Sequence, residues 1–380
     1  MAFESRDFQF SMGYTKKKLF PILIVLLIWI SACNSRLEFT NTPSLIPTLT
    51  ANVQSTDVKT TSYWPTNGWR ASAPEEQGMD SYTLLQMFRT IDEEYLDIHS
   101  VVVVRNGYIV AEKYYSFYAK DTQHMLYSCT KSFISALIGI AIEDGYINGV
   151  DEPVIDYFPD HSFDNQDERK RSMTLEDLLT MRPGLDWNEG MQEYQDMMAS
   201  SDWVGYVLNK SMVVEPGTQF NYCSGCSHVM SAIIQESTGV NTLEYAQRKL
   251  FEPMNITNFH WELDVNDIPN GGWGLKMIPR DMAKFGYLFL NNGIWDGEKI
   301  IPAKWIREST QTGLATGEGV DYAYQWWVYP ASKLYAAQGR YGQKIIVVPD
   351  LELVIVFTAN MEDTSPIFVL VEDYIIPAAQ

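Results

Sequence analysis

The chain has 380 residues, 46% of them hydrophobic, and its 28 basic against 48 acidic side chains give a formal net charge of −20. An acidic balance of that size repels phosphate backbones, so nucleic acid is excluded as a partner and polyanionic substrates are disfavoured. The five histidines are scattered, and two cysteines at C-x-x-C spacing, Cys223 and Cys226, lack the second ligand pair of a zinc site, so no metal or other cofactor is expected.

Lys16, Lys17 and Lys18 precede an uncharged apolar run from Leu19 to Ile30, followed by Ser31-Ala32-Cys33. A basic start, an apolar stretch too short for a comfortable permanent span, and small residues form an export signal. The tetrad ending at Cys33 resembles a bacterial lipobox, which implies lipidation of Cys33 and an exported protein held to the membrane by that anchor. Met12 makes a tidier start than Met1 for such a signal. Removing residues 1–33 takes away Arg6, Lys16, Lys17 and Lys18 against Glu4 and Asp7, which moves the net charge to about −22. Residues 34–67 are rich in Thr, Ser, Pro and Asn without helical or strand period and read as a tether.

The folded part spans residues 68–378, enough for a large core in one or two lobes. Asp80 and Ser81 cap a helix reaching about Glu94. Val101 to Val104, an Arg105-Asn106-Gly107 turn and Tyr108 to Tyr115 form a hairpin, since Asn-Gly suits a tight turn between strands. An apolar helix opens at Ser128 and ends near Gly145. The middle is mostly helical: Thr174 caps a helix that stops at Pro183-Gly184, Val229 to Glu236 is another, and Pro279 to Leu290 is a third, closed by Gly293. Strands return at Trp326 to Val328, Leu334 to Ala337, Lys344 to Val348 and Leu353 to Phe357, and Phe368 to Ile376 makes a closing helix. The expected fold class is therefore α/β in the α+β sense: an antiparallel sheet flanked by helices and built from about 95–125 and 320–378, with an inserted helical lobe over about 145–315. The cleft between them is the expected site.

Ser128-Cys129-Thr130-Lys131 is an S-x-x-K box at that helix start. Residues three apart share a helix face, so the Lys131 amine can serve Ser128 as a base once burial lowers its pKa. Read alone, Ser128 could equally cap a helix. Tyr222, in Phe220-Asn221-Tyr222-Cys223-Ser224-Gly225, lies on a loop before a helix and can pass protons between serine, lysine and leaving group. Gly339, in Ala337-Gln338-Gly339-Arg340-Tyr341-Gly342-Gln343, would let substrate lie along the strand edge. In the segment 186–194, Trp187 and Tyr194 can stack on a ligand or simply pack. His124 is structural, since Lys131 makes a serine–histidine dyad superfluous. Cys129, Cys223 and Cys226 read as small buried packing residues, although export permits a disulfide.

These motifs stand in order with Thr174-Leu175-Glu176-Asp177-Leu178-Leu179-Thr180-Met181-Arg182-Pro183-Gly184-Leu185, Pro216-Gly217-Thr218-Gln219 and Arg280-Asp281-Met282-Ala283-Lys284-Phe285-Gly286. Together they make residues 68–378 resemble the serine β-lactamase and penicillin-recognising superfamily, in the branch of class C β-lactamases, family VIII esterases and 6-aminohexanoate-dimer hydrolases. The resemblance implies a β-lactamase/transpeptidase-like fold, with Ser128 as acylated nucleophile, Lys131 as its base and Tyr222 as second acid or base. It implies an oxyanion hole from the backbone N–H groups of Ser128 and Arg340. Ser224 stands where the family usually has asparagine, and Ala337-Gln338-Gly339 replaces Lys-Thr-Gly, which removes a partner for a β-lactam carboxylate. Both departures point to small amide or ester substrates. A β-lactamase, a D-Ala-D-Ala carboxypeptidase and a non-catalytic binding homologue remain the alternatives, and oligomeric state stays open.

Overall fold

Asn106 and Gly107 both take positive φ, 52° and 81°, and so make the two-residue turn that joins β2 (Ile98–Arg105) to β3 (Tyr108–Tyr114). This hairpin belongs to a nine-stranded sheet in the computed structural model, which describes residues 63–164, 167–311, 313–316 and 319–380. The remaining strands are β1 (Arg70–Ala71), β4 (Leu314–Ala315), β5 (Asp321–Tyr322), β6 (Trp327–Tyr329), β7 (Leu334–Gly339), β8 (Gln343–Val348) and β9 (Leu353–Ala359). Their spatial order is β1-β3-β2-β9-β8-β7-β6-β5-β4. All pairs are antiparallel except β1 with β3. Cys33 and the tether lie outside the described residues, and among the described residues no helix is long and apolar enough to cross a membrane.

Side chains alternate across each strand, so β2, β8 and β9 feed two separate cores. Val102, Val104, Ile345, Val347, Val354 and Val356 face α2 (Thr130–Glu143) and the helical lobe. Val101, Val103, Ile346, Val348, Ile355 and Phe357 face α1 (Ser81–Glu93) and the C-terminal helical segment from Ser365 to Ala378. Burial on both faces explains why these strands are continuous apolar runs rather than alternating ones. The N-terminus of α1 is capped by Asp80, whose carboxylate accepts from the backbone of Tyr82 and Thr83. The C-terminal helix begins at Ser365, earlier than its apolar pattern indicates, because Pro366 seats well in a first turn.

α2 is apolar nearly all round and correspondingly buried, with Phe133 stacked on Phe285 at a centroid distance of 3.7 Å. Phe285 lies on α5 (Pro279–Leu290), where Gly286 lets the helix approach Val354 and Ile345 so closely that a β-carbon would meet them at 2.6 and 2.9 Å. The lobe between α2 and α5 holds α3 (Met191–Ala199) and α4 (Ser224–Thr238). It also holds a small sheet absent from the sequence reading, made by 124–125, 259–261 and 275–277. Its strands are two or three residues long, too short to show a period.

Cys223 and Cys226 differ from the expected packing thiols: they form a disulfide that closes the first turn of α4, and Cys223 Sγ accepts the Cys226 N–H at 3.0 Å. Both are fully buried. A loop this short constrains the unfolded chain by about 2 kcal/mol on the loop-entropy model. Cys223→Ala with Cys226→Ala is therefore expected to lower the unfolding free energy by about that amount in denaturant titrations. An unchanged midpoint in protein whose thiols titrate as reduced would show that the bond contributes nothing.

Candidate active site

Ser128 sits in a single 3-10 turn, Tyr127–Cys129, immediately ahead of α2. Tyr127 holds φ at 47°, a left-handed conformation that costs a non-glycine residue on the order of 1–3 kcal/mol. Tyr341, with φ 62°, faces it edge-to-face at 5.4 Å from the end of β7. Two strained residues thus flank the nucleophile turn. The same end of β7 presses on that turn through Gly339, where an added β-carbon would stand 2.1 Å from the Leu126 carbonyl oxygen. The glycine is required by this backbone contact, rather than by room for substrate alone. Gln343 then pins the bend after β7, its side-chain amide donating to the carbonyls of Arg340 and Ala359.

Lys131 is 1% exposed, and its Nζ reaches Ser128 Oγ at 2.9 Å, Ser224 Oγ at 2.9 Å and the Gly272 carbonyl at 2.7 Å. Burial pulls its pKa down to about 8, while the negative charge of Glu189 pushes the other way. Gly272 is delivered by a turn in which Asn270 Oδ1 accepts the N–H groups of Gly272 and Trp273. Gly271 and Gly272 allow that turn to lie on α4, where β-carbons would meet the carbonyls of Ser227 and Ser224 at 2.1 and 2.9 Å. Asn270-Gly271-Gly272 carried no expectation at the level of sequence, and nothing local to that stretch points to Lys131.

Tyr222 lies beside the pair of Ser128 and Lys131, its ring centroid 4.9 Å from Lys131 Nζ. Trp327 stacks on it at 5.9 Å and buried Tyr322 crosses it at 6.0 Å. Burial, reinforced by Glu189, drives the Tyr222 phenol far above its ordinary pKa, so it rests as a hydroxyl and not as a phenolate. Its loop is tied to the 174–185 block and the segment after it: Asn221 N donates to Met181 O, and Asn221 Nδ2 donates to Trp187 O at 3.0 Å.

The segment after that block closes on Ser224. Glu189 accepts from Ser224 Oγ and from Tyr194 OH on one oxygen, and from Ser224 N at 3.0 Å and Trp187 Nε1 at 2.6 Å on the other. Of the two roles open to Trp187, the structure has the packed one: it is 4% exposed and packs where a β-carbon on Gly225 would touch its ring at 2.7 Å. Tyr194, from α3, lies 3.5 Å from Ser224 Oγ and packs on Trp273 at 4.9 Å. Trp273 and Trp203 continue into a depression of about 630 Å³ lined also by Met198, Phe259 and Trp261. Glu189 carried no motif in the sequence, and its meeting with Ser224 spans 35 residues.

Other expected residues fall outside this cluster. The Arg340 side chain is exposed over the Tyr341 ring, 4.6 Å from its centroid. His124 is buried beside His99, Nδ1 to Nδ1 at 3.5 Å, and burial pushes its pKa down to about 4. Lys344, on β8, turns to Gln338 Oε1 and the Phe368 ring on the opposite face of the sheet from α2, so it does not stand in for a lysine at Ala337. Gln325, 2% exposed with φ 62°, donates to the carbonyls of Leu178 and Leu179 and accepts from Ser132 and Ser227, joining the three motif-bearing helices. Among the described residues no group of three or more His, Cys, Asp or Glu is placed to hold a metal.

The chain is 24% identical over 288 residues to the 6-aminohexanoate-dimer hydrolase of Paenarthrobacter ureafaciens, covering 69% of this chain and 72% of that one. Among solved structures, a family VIII carboxylesterase superposes with a TM-score of 0.66 at 17% identity, over 81% of this chain and 98% of that one. A penicillin-binding protein homologue from Caulobacter crescentus gives 0.65 at 12% identity, over 81% and 98%. Both share the fold of sheet and flanking helices. The Beta-lactamase family model matches residues 88–380, a span that carries every residue of the Ser128, Lys131 and Tyr222 cluster, and the chain belongs to the beta-lactamase family.

Proposed function

We propose that this protein is a serine hydrolase that forms an acyl-enzyme on Ser128 and cleaves small amides or esters. The observation that carries this reading is the buried Lys131 amine 2.9 Å from Ser128 Oγ, with a pKa close enough to neutrality for the free base to be populated. In the neutral amine the lone pair takes the Ser128 proton as Oγ bonds to the carbonyl carbon of the substrate. The developing oxyanion is received by the backbone N–H groups of Ser128 and Arg340, two donors of a kind commonly worth about 3 kcal/mol each. Tyr222, a hydroxyl at rest, protonates the departing nitrogen or oxygen and regains its proton from the Lys131 ammonium. Water then attacks the ester, with the transfers reversed, and frees the acid.

The hydrolase and carboxylesterase relatives support amide or ester cleavage, and Ala337 without a compensating lysine argues against β-lactams as the main substrates. The aromatic wall at Trp273 favours substrates with an apolar arm. Export and anchoring through Cys33 belong to the same proposal, supported by Lys16 to Lys18, the apolar run and the lipobox-like tetrad.

Ser128→Ala is expected to abolish turnover of p-nitrophenyl esters and 6-aminohexanoate dimer, and a fluorophosphonate should label wild-type protein at Ser128. Equal labelling of the variant would place the nucleophile elsewhere. Because Lys131 must be neutral to accept a proton, acylation should rise with pH through about 8 and hold its plateau above, Tyr222 being too high to ionise there. Tyr222→Phe should slow turnover roughly 10²-fold; an unchanged rate would reduce it to packing. Cys33→Ala should move the protein from the membrane fraction to the soluble one with full activity, whereas wild type recovered soluble and without fatty-acid label would remove the anchor.

A further inference from the structure

We propose that Glu189 is a positioning residue for the Ser128-to-Lys131 proton transfer, holding the Ser224 hydroxyl proton so that Ser224 can only accept from Lys131. The inference rests on the reading of Lys131 as the base. A neutral amine has two N–H bonds and one lone pair. Three oxygens surround Nζ: the Gly272 carbonyl, which can only accept, and the hydroxyls of Ser128 and Ser224, each able to give or take. Geometry at Nζ alone therefore leaves two serines competing for the lone pair. If Ser224 won, its proton would point at Lys131 and an amine N–H would point at Ser128, the reverse of what acylation needs.

Glu189 breaks the tie. Its Oε1 lies at 2.5 Å from Ser224 Oγ, and a carboxylate can only accept, so the Ser224 proton is committed away from the amine. Ser224 Oγ then takes one Lys131 N–H, the Gly272 carbonyl takes the other, and the lone pair is left for Ser128. The carboxylate is itself fixed in place by Trp187 Nε1, Tyr194 OH and Ser224 N, so it cannot swing to another partner without stranding buried donors.

The charged surroundings favour the same role. Acting on Lys131 are Glu189 and, from the turn ahead of its helix, Cys129, whose thiol burial pushes up to about 12 and leaves neutral. Facing Glu189 are Tyr194 from α3, Tyr222 and, from β5, Tyr322, all driven upward and uncharged. Lys344 acts on Cys129 from β8. Glu189 is thus the anionic group that raises Lys131, and removing its charge lowers the pH at which the amine becomes a free base.

The test is the pH profile of pre-steady-state acylation with a p-nitrophenyl ester in Glu189→Gln, Glu189→Asp, Ser224→Ala and Glu189→Gln/Ser224→Ala, with folding checked by near-ultraviolet circular dichroism. In Glu189→Gln the acid limb should move down by roughly one pH unit, the low end for loss of a charge at this range. Its plateau should fall about tenfold or more, the scale of one misdirected hydrogen bond. In the Ser224→Ala background, where no second hydroxyl competes, the same change should leave the plateau within about twofold while still moving the limb. Glu189→Asp keeps the charge but shortens the reach, so its limb should stay in place while its plateau falls; this variant decides the matter if Glu189→Gln does not fold. An unmoved limb in Glu189→Gln, equal plateau losses in both backgrounds, or a wild-type plateau in Glu189→Asp would overturn the inference. Failure of the underlying reading is distinguishable, because then wild type itself would show no limb near pH 8 or no labelling at Ser128.

Discussion

A primary amine buried to 1% exposure must find a partner for each hydrogen it carries, and that requirement on Lys131 organises the site. Its three oxygens come from three stretches of chain: the nucleophile turn, the start of α4 and the 270–274 turn. Each stretch is brought within reach by its own device. The strained Tyr127 sets the first, the Cys223–Cys226 bond closes the second, and Gly271-Gly272 lets the third lie flat on the helix. Loss of any one would leave a buried cation under-coordinated, so the amine couples elements that share little sequence neighbourhood.

Gln325 does for the lobes what Lys131 does for the site. A single buried residue, held at positive φ, accepts from Ser132 of α2 on its backbone carbonyl, while its side-chain amide accepts from Ser227 of α4 and donates to the carbonyls ending the 175–179 helix. Buried side-chain networks of this kind are costly when half satisfied and rigid when complete. Here every polar atom of the Gln325 side chain is engaged, so the helices that carry the nucleophile, the base and Ser224 hold a fixed relation to the strand end at Gly339. Ser128 and Lys131 therefore stand on helical turns, while Tyr222 is held on a loop tied to Met181 and Trp187.

Much of this was legible in the chain. The hairpin at Asn106-Gly107, the capped helices and the apolar strands declared themselves because local chemistry and tertiary role agree there. Ser128, Lys131 and Tyr222 were legible as types at spacings. What escaped has a common physical cause: it depends on pairings far apart in sequence. Glu189 meets Ser224 across 35 residues, Gln325 meets Ser132 across 193, and the three-stranded sheet is assembled from pieces of two or three residues. Trp187 stayed open between two roles because an aromatic residue on a loop looks the same in sequence whether its ring turns outward or packs on a glycine. Gly339 was legible as a place of close approach, but a missing side chain does not say which surfaces approach it, and the Leu126 carbonyl was not foreseen.

The contact at Gly339 has a wider consequence. Sheet and nucleophile turn meet there main chain to main chain, against the Leu126 carbonyl, with no side chain between them. The spacing between strand end and nucleophile turn is therefore set by main-chain geometry that all residues share, and it depends on the absence of a side chain at one position. Substitutions at Ala337, Ser224 or Trp273 change side chains without touching that main-chain contact. The walls that admit a substrate and the turn that carries the nucleophile are in that sense separate parts of the molecule.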